Sequence, residues 1–99
     1  MTPGLMIRYT VHFAGRVQGV GFRYRTTEIA QRHDVSGIVE NLSDGRVRLI
    51  VEGAREALDA FLSELGRQMA ANIHQRQLHE EPATGEFGRP GIDPLTIRR

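Results

Sequence analysis

The sequence predicts an α+β fold of order βαββαβ, with both helices on one face of an antiparallel sheet and a short extra C-terminal strand possible. Three observations carry that reading. Apolar residues alternate at a period of two in the first and third strand segments, an Asp-Gly pair separates the second from the third, and an apolar helical stripe follows. The chain has 99 residues, which fits one compact domain, expected over 1–99.

From Met6 to Phe13 the residues Ile7, Tyr9, Val11 and Phe13 share one face, and Arg8, Thr10 and His12 the other, the pattern of a strand with one buried side. Ala14 to Gly21 follows, where Gly15, Gly19 and Gly21 interrupt regular structure. Phe22 to about His33 reads as a helix with a thin inner stripe of Phe22, Thr26, Ile29 and Ala30. Val35 to Glu40 is the second strand and Arg46 to Glu52 the third, with Val47, Leu49 and Val51 on one face. Between them Asp44-Gly45 is a hairpin signal, since glycine supplies the positive φ of the turn. Ala57, Leu58, Phe61, Leu62 and Leu65 form the stripe of the second helix, with Gly66 expected as its C-terminal cap. A fourth strand is expected around Ala71 to Leu78, a polar surface loop over Glu80 to Pro94, and a closing strand over Leu95 to Arg98. With right-handed crossovers this order makes a ferredoxin-like sandwich. That architecture hosts many functions and decides none.

Composition narrows the field. Thirteen basic side chains against twelve acidic ones leave a formal charge of +1, too small an excess to steer the chain to nucleic acid or membrane. Any anion must be attracted by a local pocket. Without cysteine, disulfides, thiolate nucleophiles and cysteine-ligated zinc are excluded. No apolar stretch approaches the roughly 18 residues of a membrane span, and Met1 to Gly4 carries no signal-peptide pattern. A cytoplasmic location is expected.

Candidate chemistry concentrates in Gly15 to Arg23, GRVQGVGFR. Backbone amides of a glycine-rich strand-to-helix turn can converge as a nest, and the helix start adds its positive dipole end. Arg23, in the first helical turn, can present a planar fork to two phosphate oxygens. The segment is neither a nucleotide P-loop nor a dinucleotide fingerprint. Read alone, it fits a plain connection with a solvated Arg23 equally well. Asn41 read alone is a turn-starting asparagine.

Together these segments resemble the acylphosphatase family. GRVQGVGFR is similar to its signature loop, and GIVENLSDGRV, Gly37 to Val47, to its second motif, with the likeness extending through Glu56 to Gly66. The chain departs from the family where Arg67 follows Gly66 in place of proline. The resemblance implies metal-free, cofactor-free hydrolysis of a small acyl phosphate to carboxylate and phosphate. Arg23 would anchor the phosphate and Asn41 orient the attacking water. Gly15, Arg16, Val17, Gln18, Gly19, Val20 and Gly21 would form the cradle. A monomer is expected. The chemistry accommodates so sparse a site, because a carboxylate leaves with a conjugate-acid pKa of about 4–5 and needs no strong general acid.

The remaining polar residues are expected to be structural. His74 and His79 lack a third metal ligand by spacing, His12 lies on the polar side of its strand, and His33 near a helix end can offset the dipole. Glu80 and Glu81 are expected in solvated loop, and Arg8, Arg16, Arg25, Arg46 and Arg48 at the surface. Arg16 or Arg25 could enrich the field near the pocket. An RNA-recognition module shares the element order, but the third strand lacks its stacking aromatics. A non-catalytic small-molecule-binding regulatory domain of the same fold would not require Arg23 together with Asn41. The acylphosphatase-like unit at the start of large hydrogenase-maturation proteins is a nearer rival. With no cysteine fingers following, a standalone enzyme is preferred.

Overall fold

A computed structural model describes residues 5–99; the reading of Met1 to Gly4 lies outside them. The described residues form β1 (Met6–Gly15), α1 (Phe22–Ala30), β2 (Val35–Asn41), β3 (Val47–Ala54), α2 (Arg55–Gln68), β4 (Ile73–Pro82) and β5 (Leu95–Arg98). One five-stranded sheet has the order β4-β1-β3-β2-β5. The first four strands pair antiparallel, and the added β5 runs parallel to β2. The sheet is therefore mixed rather than purely antiparallel.

The period of two fixes which face is covered. Ile7, Tyr9, Val11 and Phe13 of β1 are buried with Val47, Leu49 and Val51 of β3 and Val35 and Val39 of β2. They pack against the stripes of α1 (Phe22, Ile29, Ala30) and α2 (Leu58, Phe61, Leu62, Leu65) in one core, so both helices lie on that face. The thin stripe of α1 is buried at all four expected positions, including Thr26, whose hydroxyl donates to the Phe22 carbonyl at 2.8 Å. No helix among the described residues is long and apolar enough to cross a membrane.

Element ends differ from the sequence expectation for identifiable reasons. Helix α1 stops at Ala30, and Arg32 and His33 continue it with i→i−3 bonds to the Ile29 and Ala30 carbonyls at 3.0 and 3.1 Å. Such tightening is usual where a helix ends, here where the apolar stripe runs out. Gly66 is not a cap. Helix α2 continues to Gln68 and is closed by Met69, because Met69 extends the apolar stripe into the core. Strand β4 runs on to Pro82, so Glu80 and Glu81 are strand residues opposite Tyr9 and Arg8. Glu80 also holds Arg55 through two 2.7 Å bonds.

Arg8 is the largest correction. It is buried, with Nε 2.7 Å from Glu52 Oε2 and Nη2 2.7 Å from Thr84 Oγ1. The segment after β4 folds back over the face of the sheet that the helices leave open. There the Thr84 and Gly85 N–H groups donate to Glu52 at 2.9 and 3.0 Å, and the Phe87 ring lies 5.1 Å from the Arg8 guanidinium.

Candidate active site

The loop Arg16–Gly21 leaves the end of β1 through a close approach that requires glycine. Gly15 has φ 130°, and a Cβ there would come within 2.4 Å of the Asn72 carbonyl oxygen. Arg16 is tied to the same residue twice: its N–H donates to the Asn72 carbonyl at 2.9 Å, and Asn72 Nδ2 donates to the Arg16 carbonyl at 3.0 Å. Val17 then plugs the core, and Gln18 turns the other way. Gln18 Nε2 donates to the carbonyls of Leu42 and Arg46 at 2.8 and 2.9 Å, strapping the loop to the β2–β3 hairpin. Gly21, in the left-handed region at φ 80°, caps α1 without any side-chain acceptor, and no acidic residue occupies the first turn. From Val17 to Tyr24 no backbone N–H finds an acceptor among the described residues. The loop therefore presents unpaired donors and the positive end of a helix.

Asn41 reaches the same place by strand geometry. It ends β2 opposite Val47, on the side shared by Val35 and Val39, which is the side the helices cover. The hairpin closes just beyond it, with the Leu42 N–H donating to the Arg46 carbonyl at 2.8 Å and the Arg46 N–H to Asp44 Oδ1 at 3.0 Å. Asp44 and Gly45, at φ 93°, thus serve the turn. Helix α1 packs over this end of the sheet and brings Arg23 to Asn41.

Arg23 and Asn41 line one cavity of about 250 Å³ together with Val17, Gly19, Gly21 and Phe22. Arg23 is half-buried and makes no hydrogen bond or ion pair among the described residues. Of the expected cradle, Val17, Gly19 and Gly21 line the cavity, whereas Gly15, Arg16, Gln18 and Val20 do not. Gly15 and Gln18 shape the loop instead, the Arg16 backbone is fastened to Asn72, and Val20 is exposed at the surface. Arg25 is turned toward α2, donating to Gln68 Oε1 at 3.0 Å. Sequence reasoning missed Tyr24, Ile97 and Arg99, which complete the lining. The alternation of β5, counted from buried Leu95, was a signal that could have found Ile97 and Arg99.

The histidines lie elsewhere. His33 Nε2 is 2.9 Å from Glu64 Oε1 and its ring centroid 5.9 Å from that of Phe61. Arg32 and then His33 hold the Glu64 carboxyl down to about 2. His12 lies on the open face of the sheet, where burial and then Arg46 and Arg48 push its ring pKa below the ordinary value while Asp44 opposes them.

The ferredoxin-like α+β fold is shared by solved structures. The acylphosphatase from Bacillus subtilis superposes with a TM-score of 0.79 at 28% identity, over 94% of this chain and 99% of that one. Full-length HypF, in its phosphate- and nucleotide-bound form, gives 0.77 at 29% identity, over 99% of this chain but 12% of that one. The acylphosphatase of Natronomonas pharaonis is 46% identical over 95 residues, covering 94% of this chain and 96% of the relative. That of Chloroflexus aurantiacus is 39% identical over 84 residues, covering 84% and 91%. The acylphosphatase family model matches residues 9–90. The chain belongs to the acylphosphatase family.

Proposed function

We propose that this chain is a metal-independent acylphosphatase in which Arg23 anchors the phosphoryl group and Asn41 orients the attacking water. The observation that carries the assignment is the meeting of Arg23, Asn41, Gly19 and Gly21 on one cavity. The phosphoryl dianion sits against the unpaired N–H groups of the loop, and the Arg23 fork grips two of its oxygens. Asn41 holds water through its carboxamide, the oxygen accepting and the NH₂ donating. Water adds to phosphorus as the bond to the acyl oxygen breaks. The electron pair leaves with the carboxylate, and both water protons finish on phosphate, giving carboxylate and dihydrogen phosphate. The first proton passes to a phosphoryl oxygen of the substrate itself, since no Asp, Glu or His side chain lines the cavity. A loose transition state asks mainly for position and charge, which these groups supply. A monomer suffices for this reading, since one chain supplies Arg23, Asn41 and the loop. A regulatory domain of the same fold is not favoured, given the family match.

The test is hydrolysis of benzoyl phosphate by the purified chain with excess chelator present. The wild type turns over, and Arg23→Ala and Asn41→Ala each lose about 10²-fold or more in kcat/KM, the scale of removing a preorganised transition-state donor. Activity abolished by the chelator would overturn metal independence. Full activity in both variants would overturn the residue roles.

A further inference from the structure

The cavity carries a second guanidinium that this mechanism leaves unused. β5 pairs with β2 in parallel register, Val39 with Ile97 and Glu40 with Arg98. One step further along that register sets Arg99 beside Asn41. By strand alternation both belong to the side the helices cover, and both line the cavity with Arg23. Adjacent strands lie roughly 4.8 Å apart, so an arginine side chain starting next to Asn41 reaches whatever Asn41 reaches. No Asp or Glu lines the cavity. Arg99 makes no ion pair among the described residues, whereas Arg8, Arg32, Arg46, Arg48 and Arg55 are all paired with carboxylates. Two guanidinium groups unpaired among the described residues, at one concave site with no acidic side chain in its walls, are matched to an anionic ligand.

We propose that Arg99 is a second cationic contact for the phosphoryl group, placed on the side from which water enters. The inference rests on the acylphosphatase reading and extends it. Its position fixes which part of the substrate it meets. In an in-line displacement the acyl oxygen leaves on the side of phosphorus opposite the water. A cation beside Asn41 therefore faces the phosphoryl oxygens rather than the acyl group. The contact attracts substrate and product phosphate alike, so it acts on binding more than on the chemical step. Arg99 is exposed, and solvent and salt hold the contact to the modest range of a surface ion pair.

The experiment titrates inorganic phosphate into the full chain and measures its inhibition of benzoyl phosphate hydrolysis at low salt. In Arg99→Gln the phosphate Kd, the phosphate inhibition constant and KM rise together by about three- to fivefold. Arg99→Lys restores most of the loss, and about 1 M salt erases the difference between wild type and variant. Unchanged phosphate binding in Arg99→Gln overturns the inference, whether or not kcat falls. So does a loss that Lys fails to rescue and salt fails to screen. A wild type that binds phosphate through Arg99 but hydrolyses no acyl phosphate would sink the acylphosphatase reading and leave this contact standing.

Discussion

Arg23 and Arg8 show how little an arginine's sequence neighbours say about its task. Both follow apolar strand or helix positions, yet Arg8 is locked between Glu52 and Thr84 while Arg23 has no partner among the described residues. The loop alone left Arg23 as readily solvated as not, and its place beside Asn41 on one cavity was suggested only by reading the loop and hairpin motifs together. The burial of Arg8 was not legible, since its carboxylate stands 44 positions away and the segment covering it has no regular pattern. Arg99 was signalled by the alternation of β5, but setting it beside Asn41 needed the register of β5 against β2, which no local spacing contains. His12 offers a direct check on the open face. Its ring is expected to titrate by NMR below about 6.5, and Arg48→Gln is expected to move the midpoint upward. The sign for stability follows from the folded state disfavouring the charged ring. The His12 contribution is complete above about pH 6.5 and falls away as pH drops toward the folded value. A midpoint at or above 6.5 would remove the roles given to burial and the two arginines.

Among the elements, α2 gives the cleanest contrast between pattern and outcome. Its stripe was readable from Ala57 to Leu65, but Gly66 suggested an end that Met69 overrides by continuing into the core. The consequence is measurable. A Cβ at Gly66 would meet nothing within 4 Å, and its backbone is helical. Gly66→Ala is therefore expected to stabilise the fold by about 0.5–1 kcal/mol, visible as a higher Tm or denaturation midpoint. A residue capping in the left-handed region would instead lose stability on the same change. The hairpin and the glycine-rich loop were each legible, but their strap was not. Gln18 has ordinary polar neighbours, and its acceptors are backbone carbonyls 24 and 28 residues away. Gln18→Ala is expected to lower kcat more than it raises KM, because it loosens the loop from the hairpin that carries Asn41 while leaving Arg23 and the loop amides in place. A change confined to KM would argue that the strap does not set this spacing.

For the molecule as a whole, the sheet order and helix layer were readable because strand and helix periods agree with them throughout. The route of residues 83–94 was not, since its first turn is anchored to a buried carboxylate more than thirty positions away. Burial works against ionisation of Glu52, but donation from Thr84, Arg8 and Gly85 outweighs it and holds the carboxyl below its ordinary value. That contribution is complete above the ordinary carboxylate pKa, about 4.3, and is lost as pH falls through the lower folded value. Glu52→Gln is expected to cost about 3 kcal/mol at neutral pH, near the lower end for breaking a buried pair, since Glu86 remains 3.1 Å from Arg8. The variant should also flatten the acid limb of the stability curve. An unchanged limb would place the acid sensitivity in other carboxylates. The walls of the cavity come from opposite ends of the polypeptide, Val17 on one side and Ile97 and Arg99 on the other. During synthesis from the amino end, a ribosome-bound intermediate can already hold the signature loop and the hairpin long before β5 has been translated. Such a nascent species would have the loop but an unfinished rim, so the cavity is expected to be complete only once β5 has paired with β2.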